Sequence, residues 1–116
     1  MPILPADDAL LALVAFVCSE AQPLRIVLFG SRSTGTARPD SDYDLLVVVD
    51  NDCSPREVTR RLYMHKRGLG VSADFVVATA AQLARHADAP GLVYRVALTT
   101  GRSVYVRDTQ ADHVDA

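Results

Sequence analysis

A chain of 116 residues carrying a net charge of −2 has room for one hydrophobic core and offers no basic footprint for a dedicated duplex-DNA binder. Its 49% hydrophobic and 22% charged content is that of an ordinary globular domain, large enough to bury about two-thirds of its unfolded surface without staples. Cys18 and Cys53 lack CxxC spacing, no apolar run reaches 18 residues, and the first residues lack a signal peptide's positive charges, so zinc, membrane and export are disfavoured and a cytoplasmic setting is expected.

Asp7 and Asp8 precede the Ala- and Leu-rich run ALLALVAFVCSEA. Acids suit the positive end of a helix dipole, which predicts a helix over residues 6–21, ended by Pro23. LRIVLF, residues 24–29, is short and β-branched and reads as a strand. A loop of Gly, Ser, Thr and Arg follows. DLLVVV then forms a second strand, apolar on both faces over residues 45–49, as in strands covered on both sides. Asp50, Asn51 and Asp52 mark a turn, and Ser54-Pro55-Arg56-Glu57 has the form of a capping box. The helix it opens runs through VTRRLYMHK and closes with Lys66 and Arg67, with Gly68 beyond. VSADFVVA, residues 71–78, is a third strand; Thr79 and Gln82 then cap a short helix reaching about residue 87. Pro90-Gly91 breaks the chain, LVYRVALTT reads as a helix ending at Gly101, and SVYVR as a last short strand. The polar, acidic stretch from Asp108 reads as a disordered tail, leaving one domain over residues 1–107 and a tail over 108–116. Strands and helices interleave, which predicts an α/β or α+β fold, a small mixed sheet flanked by helices.

One stretch conflicts with simple core building. VLFGSRSTGTARPDSDYDLLVVV puts Asp42 and Asp44 at the mouth of an apolar strand. A P-loop is excluded, because Gly30-x4-Gly35 is followed by Thr36-Ala37 and not by the phosphate-reaching lysine. A calcium loop fails as well. Asp40, Asp42 and Asp44 begin one, but Leu45 stands where glycine is needed and Asn51 where glutamate is needed. A third chemistry uses all the residues. Asp42 and Asp44, at i and i+2, project on one face of a strand, and such a pair repels by about 4 kcal/mol at an effective dielectric near 20. A divalent cation removes that conflict, and Mg²⁺ commonly takes one or two carboxylates plus substrate phosphates. Gly30-Ser31, at the end of the preceding strand, presents backbone N–H groups and a hydroxyl to a phosphate. Together these describe nucleoside triphosphate chemistry.

GSRSTGTARPDSDYDLLVV resembles the signature of the DNA polymerase beta-like nucleotidyltransferases: Gly-Ser, ten residues, Asp-x-Asp. The chain's length is similar to that of their shortest branch, the minimal nucleotidyltransferases, which form the antitoxin half of pairs with small helical HEPN toxins. The likeness is close over residues 24–78. It implies the polymerase beta-like nucleotidyltransferase fold and a third carboxylate on a neighbouring strand. Asp74 is the one acid between Glu57 and Asp88, and its bland alternative is an edge-strand acid facing water. By resemblance, Asp42, Asp44 and Asp74 hold two Mg²⁺ ions, one activating an acceptor hydroxyl and one gripping the triphosphate. The α-phosphorus is attacked in line and pyrophosphate leaves, with Asp74 best placed to orient or deprotonate the acceptor. Gly30 and Ser31 then contact the β and γ phosphates. Family members often read Ala-Arg-Gly where this chain has Ser33-Thr34-Gly35; Arg38, counted with the nucleotide-binding residues, or Arg32 can supply the absent charge, or either is an ordinary loop residue.

The resemblance implies transfer of AMP from ATP to a tyrosine hydroxyl of a HEPN partner, silencing a toxin. Modification of a small molecule is disfavoured, because those relatives usually carry a further helical domain. The alternative from another class is a non-catalytic antitoxin that neutralises its partner by complex formation. His65, His86 and His113 read as solvated surface, and Arg56, Arg60, Arg61, Lys66 and Arg67 as a solvated helix face. Cys18, Leu92 and Tyr94 read as core.

Overall fold

The structure, a computed structural model, describes residues 8–30, 32, 42–86, 97 and 101–107, and of Arg67 and His86 the backbone alone. Its elements run α1 (Asp8–Ala21), β1 (Arg25–Phe29), β2 (Tyr43–Val49), α2 (Pro55–His65), a 3₁₀ turn (Lys66–Leu69), β3 (Ala73–Thr79), α3 (Ala80–His86) and β4 (Arg102–Val106). The strands form one mixed sheet in the order β3-β2-β1-β4. β1 lies antiparallel to both β2 and β4, while β2 and β3 are parallel and joined through α2. A parallel pair needs such a crossover, and the capping box at Ser54 starts it at the right place.

β2 is apolar on both sides because both sides are covered. Leu45, Val47 and Val49 meet α1 and α2 in the larger core cluster, with Leu10, Leu13 and Val17 of α1 and Val58 and Leu62 of α2. The α1 positions recur at intervals of three and four, one stripe of a helix. Leu46 and Val48 face the other way, where Val27, Ala78 and Ala97 make a smaller cluster. Each fully buried Leu, Ile or Val contributes about 1.5–3 kcal/mol, so these two layers hold the sheet. The mixed sheet with flanking helices is the architecture the interleaved pattern predicts.

The Thr79 box forms in full, and the Ser54 box in its N-cap half, with the Glu57 carboxylate turned to Arg60. Ser54 Oγ accepts the Glu57 N–H at 3.3 Å, and Thr79 and Gln82 bond reciprocally, N–H to Oε1 at 3.0 Å and N–H to Oγ1 at 3.1 Å. The end of α2 departs from expectation. The helix stops at His65, Gly68 lies inside a tighter 3₁₀ turn, and the left-handed residue is Gly70 at φ +67°. Lys66 caps the helix, its N–H still bonded to Leu62 O, while its ammonium donates to Ala73 O at 2.8 Å. β3 also begins two residues later than expected, because its pairing starts level with Tyr43.

The helix expected over residues 92–100 is described at Ala97 alone, which is helical and buried, with the Gly101 N–H bonded to its carbonyl at 2.9 Å. The rest of that helix, with Leu92 and Tyr94, and residues 1–7 and 108–116, lie outside the described residues. Among the described residues no helix is long and apolar enough to cross a membrane.

Candidate active site

The site is built where the first three strands share an end. β2 starts at Tyr43, so Asp44 is its second residue and Asp42 stands just before it. The period of two puts Asp44 on the face it shares with Leu46 and Val48, away from α1 and α2. The parallel register sets Asp74 of β3 level with Asp44, on the face of Val76 and Ala78. Neighbouring strands lie about 4.8 Å apart, so the two carboxylates begin from adjacent positions on one side of the sheet. Asp44 is half-buried; Asp42 and Asp74 are exposed.

Three acids share one field here. Desolvation first, then the charges of Asp74 and Asp42, push the Asp44 carboxyl above its ordinary range. Among the described residues no Lys, Arg or His forms an ion pair with Asp44 or Asp74. β1 closes the site from the other side. Phe29 is the register partner of Asp44, and Gly30 follows at φ +76°. A Cβ at Gly30 would run into Asp44 Oδ2, so the backbone can pass this close to the acid only as glycine.

Among the described residues no three His, Cys, Asp or Glu side chains gather into a ready-made metal cage. The donor set nonetheless fits Mg²⁺: hard carboxylate oxygens on an open face, needing water and substrate phosphates to complete an octahedron. Ser31 and Arg38, and the Ser33-Thr34-Gly35 departure, lie outside the described residues.

Two residues make contacts here that the sequence did not show. Arg32 is half-buried, its guanidinium carbon 4.2 Å from the centroid of the Tyr43 ring, a cation stacked on an aromatic face. Tyr63 of α2 reaches over the outer edge of β3. Its hydroxyl accepts the Phe75 N–H at 2.9 Å and donates to Asp74 Oδ1 at 3.5 Å. Burial foremost, with the Asp74 charge adding to it, pushes the Tyr63 hydroxyl above its usual range, against the Phe75 hydrogen bond. Nothing local marks Tyr63, which stands beside buried Leu62 on the helix's exposed side. Only the packing of α2 against β3 brings it to the acid.

The basic residues of α2 disperse. Arg60 pairs with Glu57 at 3.1 Å, Arg61 donates to Glu20 O at 3.2 Å, and Arg56 is exposed. His65, read as simply solvated, is exposed but pairs with Glu20 at 2.8 Å. A cavity of about 460 Å³ opens at the opposite end of β2, lined by Cys18, Gln22, Asp50, Cys53, Tyr105 and Arg107 among others. None of the clustered acids reaches it.

Residues 11–95 match the family model described as a nucleotidyltransferase domain. No curated protein matches the chain. Among solved structures, the chain is similar to a Sulfolobus solfataricus protein designated a nucleotidyltransferase, at 22% identity and TM-score 0.56, covering 85% of this chain and 78% of that one. It is similar to a toxin–antitoxin with AMP-PNP, at 21% identity and TM-score 0.51, over 89% of this chain and 77% of that one. A mutant of the toxin–antitoxin MntA-HpeT aligns over the same shares, at 18% identity and TM-score 0.53. At these identities the likeness is one of fold.

Proposed function

The chain belongs to the nucleotidyltransferase domain family, and from that we propose that it transfers a nucleoside monophosphate, AMP from ATP, to an acceptor hydroxyl at the Asp42–Asp44–Asp74 cluster. The observation that carries this reading is the register of Asp74 with Asp44 on neighbouring parallel strands, with Gly30 pressed against the same carboxylate. Among the described residues Asp44 and Asp74 have no ion-paired Lys, Arg or His, and clustered acids are costly in a structural role and useful in a site that receives charge from outside.

Asp42 and Asp44 hold the metal side of the triphosphate, and Asp74 faces the acceptor. Bound Mg²⁺ supplies charge neutralisation of the triphosphate and lowers the acceptor hydroxyl's pKa. Asp74 orients that hydroxyl and takes its proton as the acceptor oxygen attacks the α-phosphorus. The bond to the bridging oxygen breaks and pyrophosphate leaves. The Gly30-Ser31 backbone and hydroxyl, with Arg38, bind the departing phosphates. Catalysis on these lines is positioning and electrostatic complementarity, with little covalent work by the protein.

We assign the acceptor to a tyrosine of a small helical HEPN toxin, which makes the chain the antitoxin of a pair. Supporting this are the fold likeness to two toxin–antitoxin proteins, one with AMP-PNP, and the Gly-Ser-x10-Asp-x-Asp spacing. The test is incubation of the chain with Mg²⁺, α-labelled ATP and its candidate partner. Label should appear on the partner and vanish with Asp42→Asn/Asp44→Asn. A stable complex without any label would overturn the enzyme in favour of a neutralising module.

A further inference from the structure

The outer edge of β3 carries main-chain groups that no strand of the described sheet pairs. In a parallel strand the N–H and C=O of one residue point the same way, and here the odd-numbered residues point outward. Side chains take three of these groups: Lys66 at Ala73 O, Tyr63 at the Phe75 N–H, and Gln82 at the Thr79 N–H. Lys66 and Gln82 make no contact with the acids. Tyr63 does more, because its oxygen accepts from Phe75 and its own proton remains to be placed.

Among the described residues that proton has one acceptor, Asp74 Oδ1. Two contacts hold the ring. It meets Phe75 edge-on with centroids 5.2 Å apart, and the Lys66 ammonium lies 4.9 Å from its centroid. A rigid ring with its oxygen pinned by an amide cannot swing to follow a carboxylate; the carboxylate must come to it. At 3.5 Å the contact is long for an O–H···O bond, a tether more than a clamp.

We propose that Tyr63 is a positioning residue for the reaction: its hydroxyl holds one oxygen of Asp74, turning the other toward the space above Asp44 where the acceptor enters. The assignment rests on the reading of the acid cluster given above. It places a residue of α2, packed on one face of the sheet, in control of an acid on the opposite face. Partners of this kind, one bond removed from the chemistry, typically change activity about tenfold when lost.

Tyr63→Phe keeps the ring and removes the hydroxyl. Expected are a kcat about tenfold lower, a KM for ATP within about twofold, and a changed Asp74 side chain. Three-bond couplings measured by NMR on the full chain without nucleotide should give one Asp74 rotamer in the parent and an average over several in the variant. Gln82→Ala removes another edge contact, 3.0 Å from the Thr79 N–H and remote from the acids, and should lower the thermal midpoint while leaving kcat and the Asp74 couplings unchanged. Unmoved couplings in Tyr63→Phe, or an equal loss of kcat in Gln82→Ala, would reduce Tyr63 to a strand fastener. A parent chain that transfers no nucleotide overturns the site's reading instead, and the couplings still decide Tyr63.

Discussion

Asp44 and Asp50 are the same side chain at opposite ends of β2, and the protein treats them in opposite ways. Asp50 is exposed and lies 3.6 Å from an Arg107 nitrogen, while its carbonyl accepts the Cys53 N–H at 3.0 Å and so closes the turn. Arg107 in turn bonds the carbonyls of Gln22 and Leu24. That end ties three segments together. Asp44 is half-buried, faces two like charges and has a glycine backbone against its oxygen. One acid closes structure; the other is held ready against the interest of stability, as groups in functional sites often are.

The comparison breaks first on activity. Asp44→Asn should lower nucleotidyl transfer by a factor of about 100 or more, by analogy with removing one preorganised electrostatic group, while Asp50→Asn stays within about twofold. Equal losses in a label-transfer assay would show that the two ends do not divide the labour.

Glycine gives the next largest effect. Gly30 and Gly70 both have positive φ, at +76° and +67°, but a Cβ at Gly70 meets nothing within 4 Å. Gly70→Ala should cost about 1 kcal/mol for the left-handed backbone alone, and Gly30→Ala about 2–3 kcal/mol because the Asp44 collision is added. Urea denaturation of both variants measures the excess, and equal costs would mean that Asp44 simply moves aside.

A smaller effect lies in pH. The folded state holds the Asp44 proton more tightly than the unfolded chain does, since the carboxyl sits above its ordinary 3.8. That contribution is complete below about pH 4 and is lost as pH rises through the raised value. Asp44→Asn undergoes no such loss, so its thermal midpoint relative to the parent should climb across that window toward neutral pH. A difference that stays flat with pH would remove the claim that ionised Asp44 is a burden.

Smallest is the structural end. Arg107→Ala should cost about 0.5–1 kcal/mol by chemical denaturation, in the range of exposed ion pairs, and leave transfer unchanged.

The elements themselves were legible because their causes are local. The Ser54 cap, the Thr79 box, the two-faced apolar run of β2 and the stripe of α1 are each written within a few residues, and each forms. Errors fell where a distant partner intervened. The Lys66 ammonium is spent on Ala73 O, and His65 found Glu20, 45 positions away. Arg32, open between a charge for the phosphates and an ordinary loop residue, is stacked on Tyr43, a contact the sequence did not show.

By itself the sequence determined which residues have chemistry to offer: a glycine-serine bend, two acids one residue apart, and a lone acid in an apolar strand. Tertiary structure alone decided that Asp74 stands level with Asp44, that Gly30 touches that acid, and that Tyr63 reaches the other. The reason is register. Side chains alternate along a strand, so a slip of one residue between β2 and β3 would send Asp74 to the face of α1 and α2, and the hydrophobic layers that forbid the slip come from α1, α2 and the far side of the sheet together.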